Sequence, residues 1–267
     1  MSTTILSKGT ALITGASSGI GAVYADRLAR QGYDLILVAR NIDRLRAAAT
    51  RLTAETGRTV EIVAADLTKP ADLGQVETLL KTDSSITLLV NNAGFGAGPG
   101  TLSADVDKMS EMIDLNVTAL TRLTYAAAPG FVARGTGTII NIASIVAIAP
   151  EMLNGVYGGT KAFVLAFSQS LHHELKDKGV RIQAVLPGAT ATEFWDVAGV
   201  PLSHLPPAIV MTTENMVDSA LAGLAQGELV TIPALPEQKD WDAYEAARQV
   251  MMPNLSRTEP AARYKAA

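Results

Sequence analysis

Six short runs of this chain are rich in apolar residues: 10–14 (TALIT), 34–39 (DLILVA), 60–64, 86–90, 138–142 and 180–186. Each is strand-sized, and the stretches between them have helical length and pattern. This alternation constrains the fold more than any other feature. Strands apolar on both faces need cover on both sides, which a parallel sheet receives from its crossover helices. The order strand–helix–strand then requires right-handed crossovers. A run at 228–232 offers a seventh strand. The reading is α/β: a single Rossmann-like, doubly wound domain over 1–267, with a parallel sheet of about seven strands flanked by helices.

The punctuation agrees. A helix over 19–30 stops near Gly32, Asn41 can cap the next one, which ends at Gly57, and Pro70 suits a first helical turn. Two helices are expected at 105–113 and 116–133, and another over 156–178, broken by Gly179. Residues 193–213 carry no clear strand or helix pattern, and long loops in compact domains usually line binding sites. A C-terminal helix and tail occupy about 237–267.

Composition excludes several function classes. There is no cysteine, so disulfides, thiolate metal sites and cysteine nucleophiles are ruled out. His172 and His173 are adjacent and point to different helix faces, so with His204 they form no i, i+4 metal pair. The net charge of −4 comes with no dense basic run, so neither nucleic acid nor an anionic membrane is an expected partner. No stretch reaches 18 consecutive apolar residues. The opening MSTTILSKG lacks the pattern of a signal peptide. A soluble, cytoplasmic protein is expected.

Three constellations carry chemistry. Gly15, Gly19 and Gly21 lie between the first strand and the first helix, where glycines let backbone N–H groups approach a pyrophosphate. The second strand ends in Ala39-Arg40, without the acid that would bind a ribose 2′-hydroxyl, and a guanidinium there suits a 2′-phosphate. Tyr157 and Lys161 are four apart on a helix-compatible stretch, which sets an ammonium beside a phenol. A nearby positive charge favours the phenolate, so Lys161 is expected to lower the tyrosine pKa. Ser144 follows the fifth strand, at the carboxyl end where open α/β folds place ligands.

Together these motifs resemble the short-chain dehydrogenase/reductase family. TGASSGIG (14–21), Asp66-Leu67, NNAG (91–94), Asn116, Ser144, Tyr157-x-x-x-Lys161 and Pro187-Gly188 occur in the family's order, and the resemblance covers roughly 8 to 233. It implies an NADP(H) cradle at Gly15, Ser17, Ser18, Gly19, Ile20 and Gly21. Asp66 with Leu67 would meet the adenine, and Asn92, Ala93 and Gly94 would line the adenosine side. Pro187, Gly188, Thr190 and Thr192 would hold the nicotinamide carboxamide and phosphates. Tyr157 would be the general acid/base, Lys161 would tune it and bind the nicotinamide ribose, and Ser144 would donate to the substrate oxygen. Asn116 would hold a water in a proton relay to Lys161. One departure is mild: Gly158-Gly159-Thr160 stand where the family often has small residues followed by serine.

The implied reaction is hydride transfer between the nicotinamide and a carbonyl or alcohol. Two alternatives stay open: a non-catalytic NADP-binding regulator, and an epimerase or lyase using the same fold. Steady NADPH consumption separates hydride transfer from both. The 193–213 loop holds Phe194, Trp195, Val197, Val200, Leu202, Leu205, Ile209 and Met211 and no lysine or arginine. With Phe95, Met152 and Leu153 as further wall candidates, an uncharged, largely apolar substrate is expected. Residues 162–167 are apolar at six successive positions, so that helix needs cover on more than one side, and a homodimer or homotetramer is expected.

Overall fold

The computed structural model describes residues 8–98 and 100–265; the opening residues 1–7, read above as lacking a signal, lie outside them. The apolar runs form strands β1 (Thr10–Thr14), β2 (Asp34–Ala39), β3 (Val60–Ala64), β4 (Ile86–Asn91), β5 (Gly137–Ile142), β6 (Val180–Val185) and β7 (Val230–Thr231). Among the described residues they make one parallel sheet in the order β3-β2-β1-β4-β5-β6-β7. The chain winds outward from β1 to β3, then returns to place β4 on the other side of β1. That reversal opens a crevice at the carboxyl ends of β1 and β4, where ligands bind in such sheets.

The helices cover both faces: α1 (Gly19–Arg30), α2 (Ile42–Thr56), α3 (Pro70–Thr82), α4 (Val106–Ile113), α5 (Leu120–Arg134), α6 (Gly155–Leu175), α7 (Phe194–Val197) and α8 (Thr213–Gln226). Strand side chains alternate between the two cores, as a pleated backbone demands. Ile13, Leu35 and Leu37 pack with Tyr24 and Leu28 of α1 and with Met216 and Val217 of α8. Leu12, Ile36 and Val38 turn the other way, into a core shared with Val76, Leu123 and Phe131. The expected strand count, strand direction and two-sided cover are all present.

Three boundaries differ from the sequence reading. Nothing between 106 and 128 breaks a helix, so α4 and α5 are not separate; a π-helical segment, Asp114–Ala119, joins them. Leucine 175 ends α6, and the expected extension to 178 is a 3-10 turn closed by Gly179 at φ +75°. The 193–213 loop contains the four-residue α7 and two 3-10 turns, Leu202–His204 and Pro207–Ile209, and Thr190, just before it, bridges to Met211 near its end.

The chain divides into two compact units, Met1–Pro233 and Ala234–Ala267. The second holds helix α9 (Gln238–Met251), with Trp241 and Tyr244 stacked on it. No described helix is long and apolar enough to cross a membrane, and no described cluster of His, Asp and Glu could hold a metal ion.

Candidate active site

The glycine turn is built for close approach. Gly15 and Gly19 have φ of +65° and +52°, which side chains disfavour. A methyl at Gly15 would stand 2.7 Å from Asn92 Nδ2, and one at Gly21 would collide with the Gly15 carbonyl. Asn92 ties the two strands together: its Nδ2 donates to the carbonyls of Thr14 (2.9 Å) and Gly15 (3.2 Å). The Thr14 hydroxyl accepts from the N–H groups of Asn92 and Ala93, both at 3.0 Å. Ser18 is the N-cap of α1 but does not cap it with its side chain, and the first turn carries no acid. The amides of α1 therefore face the crevice uncapped by protein, which is the donor set an anionic phosphate requires.

At the other end of the crevice, β5 delivers Ser144 and α6 delivers Tyr157 and Lys161. Asn154 caps α6, accepting from Val156 N at 2.8 Å and Tyr157 N at 3.3 Å, and so fixes the first turn that carries the tyrosine. Both Tyr157 and Lys161 are buried. The ammonium Nζ donates to the Ile142 carbonyl at 2.8 Å and lies 5.8 Å from the Tyr157 ring centroid. Burial pushes Lys161 down to about 8. It pushes the Tyr157 phenol up to about 12, against a hydrogen bond from Ser144 that favours the phenolate. The expected lowering by Lys161 does not prevail here, because both groups are desolvated and the lysine's own charge is disfavoured. Ser144 Oγ also lies 3.4 Å from the Pro187 carbonyl, which joins the ends of β5 and β6.

Asn116 comes into the site from the π-helical segment. Its Nδ2 donates to Phe95 O (2.9 Å) and Thr160 Oγ1 (3.2 Å), and its Oδ1 accepts from Phe95 N (3.1 Å). A methyl at Gly94 would meet Asn116 Oδ1 at 2.8 Å and Lys161 Nζ at 3.7 Å, so these three residues converge. The Asn116 carboxamide is thus engaged by protein groups. Thr160, where serine is common in the family, also donates to the Tyr157 carbonyl at 2.8 Å.

The segment after β6 crosses the mouth of the crevice, touching successive parts of it. Gly188, Thr190 and Thr192 follow Pro187, and Thr190 Oγ1 donates to Gly188 O at 3.2 Å. The Thr192 methyl packs on Gly19, with 3.2 Å to the position a methyl there would take. Phe194 fills the space beside Gly96, with its ring 5.5 Å from that of Tyr157. Gly98 N donates to Ala198 O at 2.8 Å, so the loop after β4 and the loop after β6 are hydrogen-bonded to each other.

The end of the crevice beside β2 and β3 is charged. Arg40 is exposed at the tip of β2, and among the described residues it forms no ion pair. Partial burial works against the Asp66 charge. Bonds from Thr68 N (3.1 Å) and Thr68 Oγ1 (2.7 Å), with the Arg40 and Lys69 charges, still hold its pKa below the usual value. Leu67 beside it is buried. Arg44, on the first turn of α2, donates to Glu193 at 2.7 Å.

Two residues packed against Tyr157, Met109 and Met112, carry no signal in the sequence, whereas Phe95, Leu153 and Phe194 are among the expected wall residues. Met109 and Met112 of α4 pack with Val146 and Tyr157, and Phe95, Leu153, Val156 and Phe194 close that apolar cluster. Their i, i+3 spacing marks a helix face but not which one it meets. Beneath the site, Asn91 Nδ2 donates to Asn141 Oδ1 (2.9 Å) and Thr124 Oγ1 (3.1 Å), and Asn141 Nδ2 donates to Ser168 Oγ (3.0 Å). This buried network ties β4 and β5 to α5 and α6. Of the other expected wall residues, Trp195 turns inward and donates to Thr190 O at 2.8 Å, while Met152, Val197 and Ile209 are exposed.

Comparisons with known proteins agree with this geometry. The family model described as short chain dehydrogenase matches residues 9–199, more than half of the chain. A short-chain dehydrogenase from Sphingobium yanoikuyae, solved in complex with NADPH, is 50% identical with a TM-score of 0.94, covering 96% of this chain and 100% of that one. The bulky-bulky ketone specific alcohol dehydrogenase of Comamonas testosteroni is 44% identical with a TM-score of 0.89, covering 99% of this chain and 100% of that one. Human 17-beta-hydroxysteroid dehydrogenase type 3 is 36% identical over 184 residues, which is 68% of this chain but only 59% of the human enzyme. A glycine turn after β1, a crevice at the β1/β4 reversal and a buried Ser–Tyr–Lys set are thus found in a chain that belongs to the short-chain dehydrogenase family of oxidoreductases.

Proposed function

We propose that this protein is an NADP(H)-dependent oxidoreductase acting on an uncharged, largely apolar carbonyl or alcohol. The observation that carries the reading is the Tyr157 phenol, buried in an apolar cluster beside Ser144 and Lys161. Bound NADP(H) supplies or takes up hydride; the chain positions the partner and handles the proton. Gly15, Ser17, Ser18, Gly19, Ile20 and Gly21 hold the phosphates, with the uncapped α1 amides as donors. Asp66, Leu67, Asn92, Ala93 and Gly94 line the adenosine side, and Arg40 meets the 2′-phosphate. Pro187, Gly188, Thr190 and Thr192 line the nicotinamide side. Ser144 orients the substrate oxygen. Tyr157, protonated in the buried site, delivers its proton to that oxygen during reduction and takes it back during oxidation. Lys161 steadies the negative charge left on the phenol and binds the nicotinamide ribose. Asn116, anchored by Phe95 and Thr160, holds a water in a proton relay to Lys161.

The substrate class is supported by the walls. Met109, Met112, Val146, Phe95, Leu153 and Phe194 pack around the Tyr157 ring, and the cation beside it, Lys161, is tied to the Ile142 carbonyl. Two relatives are named for a bulky ketone and for a hydroxysteroid, which are neutral and large. The test compares kcat/KM for neutral aryl and alkyl ketones with that for analogues bearing a carboxylate, following NADPH oxidation. Neutral ketones are expected to be preferred, and Tyr157→Phe is expected to remove turnover while NADPH still binds. Preference for the anionic analogues, or substantial turnover by Tyr157→Phe, refutes the reading.

A second subunit is the proposed cover for α6. Val164 and Leu165 are buried, but Phe163 and Tyr125 remain exposed, stacked through Phe167 with ring centroids at 5.5 and 6.3 Å. An aromatic patch of this kind suits a two-fold interface between copies of the chain.

A further inference from the structure

The Arg44–Glu193 ion pair joins places that the topology holds apart. Arg44 follows β2 and Glu193 follows β6, and the sheet order puts β1, β4 and β5 between those strands. Four inter-strand steps of about 4.8 Å separate β2 from β6 by roughly 19 Å. Glu193 lies eight residues beyond the end of β6, a length that spans at most about 26–29 Å. Most of that reach is used in bringing the carboxylate back across the sheet. The connection therefore passes over the carboxyl ends of β5, β4 and β1, above the crevice. A further contact holds it there: Thr192 packs on Gly19, in the turn that opens α1. Many of the other surface ion pairs, such as Arg46–Asp43 and Arg248–Glu245, join neighbours on one helix and close nothing.

We propose that Arg44 and Glu193 form a strap across the adenosine half of bound NADP(H), and that opening this strap governs how fast the cofactor leaves. The inference rests on the reading that the crevice holds NADP(H). Arg44 neutralises the carboxylate, which lets an acid sit above a phosphate-binding turn. Both side chains are about half exposed, 49% for Arg44 and 57% for Glu193, so the pair can open without disturbing the core. Phe194, the next residue, lies against Tyr157, so strap and active-site wall move on one segment.

The test measures NADPH release by stopped-flow fluorescence from wild type, Glu193→Gln, Arg44→Gln, the double variant, and Arg44→Glu combined with Glu193→Arg. Each single substitution is expected to raise the release rate roughly two- to five-fold, the range of an exposed ion pair. The double variant should release no faster than the singles, and the exchanged pair should move back toward wild type. Salt should speed release from both proteins, because it also screens the Arg40–phosphate contact, but by a larger factor from wild type than from the double variant. Unchanged release in Glu193→Gln overturns the strap, as does tighter NADPH binding by that variant, which would make the carboxylate a competitor of the phosphate. A wild type that fails to bind NADPH overturns the cofactor reading and the strap with it. Tight wild-type binding with unaltered release in the variants overturns the strap alone.

Discussion

Replacing Lys161 by methionine should stabilise the protein at neutral pH while destroying its activity. Burial takes the lysine from 10.5 to about 8. A shift of that size corresponds to about 3 kcal/mol of disfavoured charging in the folded state. Methionine fills similar space without charge, but it leaves the Ile142 carbonyl without its 2.8 Å donor, at a cost of about 1 kcal/mol. The net gain is about 2 kcal/mol, or about 4–8 °C in Tm for a chain of this size. The pH dependence identifies the cause. Below about 8 the lysine is protonated in both states, and the folded protein carries the full penalty. Between about 8 and 10.5 the unfolded chain keeps a proton that the folded one has lost, so wild-type stability rises with pH. Unfolding of both proteins at about pH 7 and about pH 9.5 should show the variant's advantage shrinking by about 2 kcal/mol. That range stops short of the Tyr157 phenol, whose titration lies between 10.0 and about 12 in the two states. A variant less stable than wild type at pH 7, or an advantage that does not change with pH, refutes the reasoning.

Arg40→Ala should raise KM for NADPH about 10- to 100-fold and leave NADH nearly unaffected, as expected for loss of a charge-assisted bond to a phosphate; wild type that uses both cofactors equally overturns that role. Light scattering should show a dimer or tetramer at micromolar concentration. Tyr125→Glu with Phe163→Glu should yield a folded monomer by circular dichroism and scattering, and an unaltered assembly would place the interface elsewhere.

What the sequence discloses depends on how far apart the interacting residues lie. The β1–glycine turn–α1 unit is contiguous, and Tyr157 and Lys161 fall four apart on one helix face, so the pattern is visible in the sequence, although only the surrounding motifs single the pair out. Strand number and direction follow from runs apolar on both sides. Residues brought together by the crossovers are less visible. Glu193 meets Arg44 from 149 positions away, and nothing near either residue announces the other. Phe194 and Trp195 look equivalent in sequence. One faces Tyr157 and the other turns into the core, because the indole N–H finds the Thr190 carbonyl. The state of the Tyr157–Lys161 pair also escapes the motif. Spacing supplies the charge beside the phenol, but burial, a tertiary property, decides which effect is larger.

The π-helical segment Asp114–Ala119 separates what this helix does for folding from what it does for chemistry. A π turn behaves like an α-helix with one residue inserted, and each added residue rotates everything beyond it by about 100°. The α4 face that packs Met109 and Met112 beneath Tyr157 and the α5 face that buries Leu123 and Phe131 are therefore offset from one another along a single rod. Asn116 occupies the dislocation between them. Deleting one residue within 114–119 would leave both helices their apolar faces and their caps, yet would bring them into a common register that one side of the sheet and the crevice cannot both accept. The helix would have to surrender either its hold on the sheet or its asparagine.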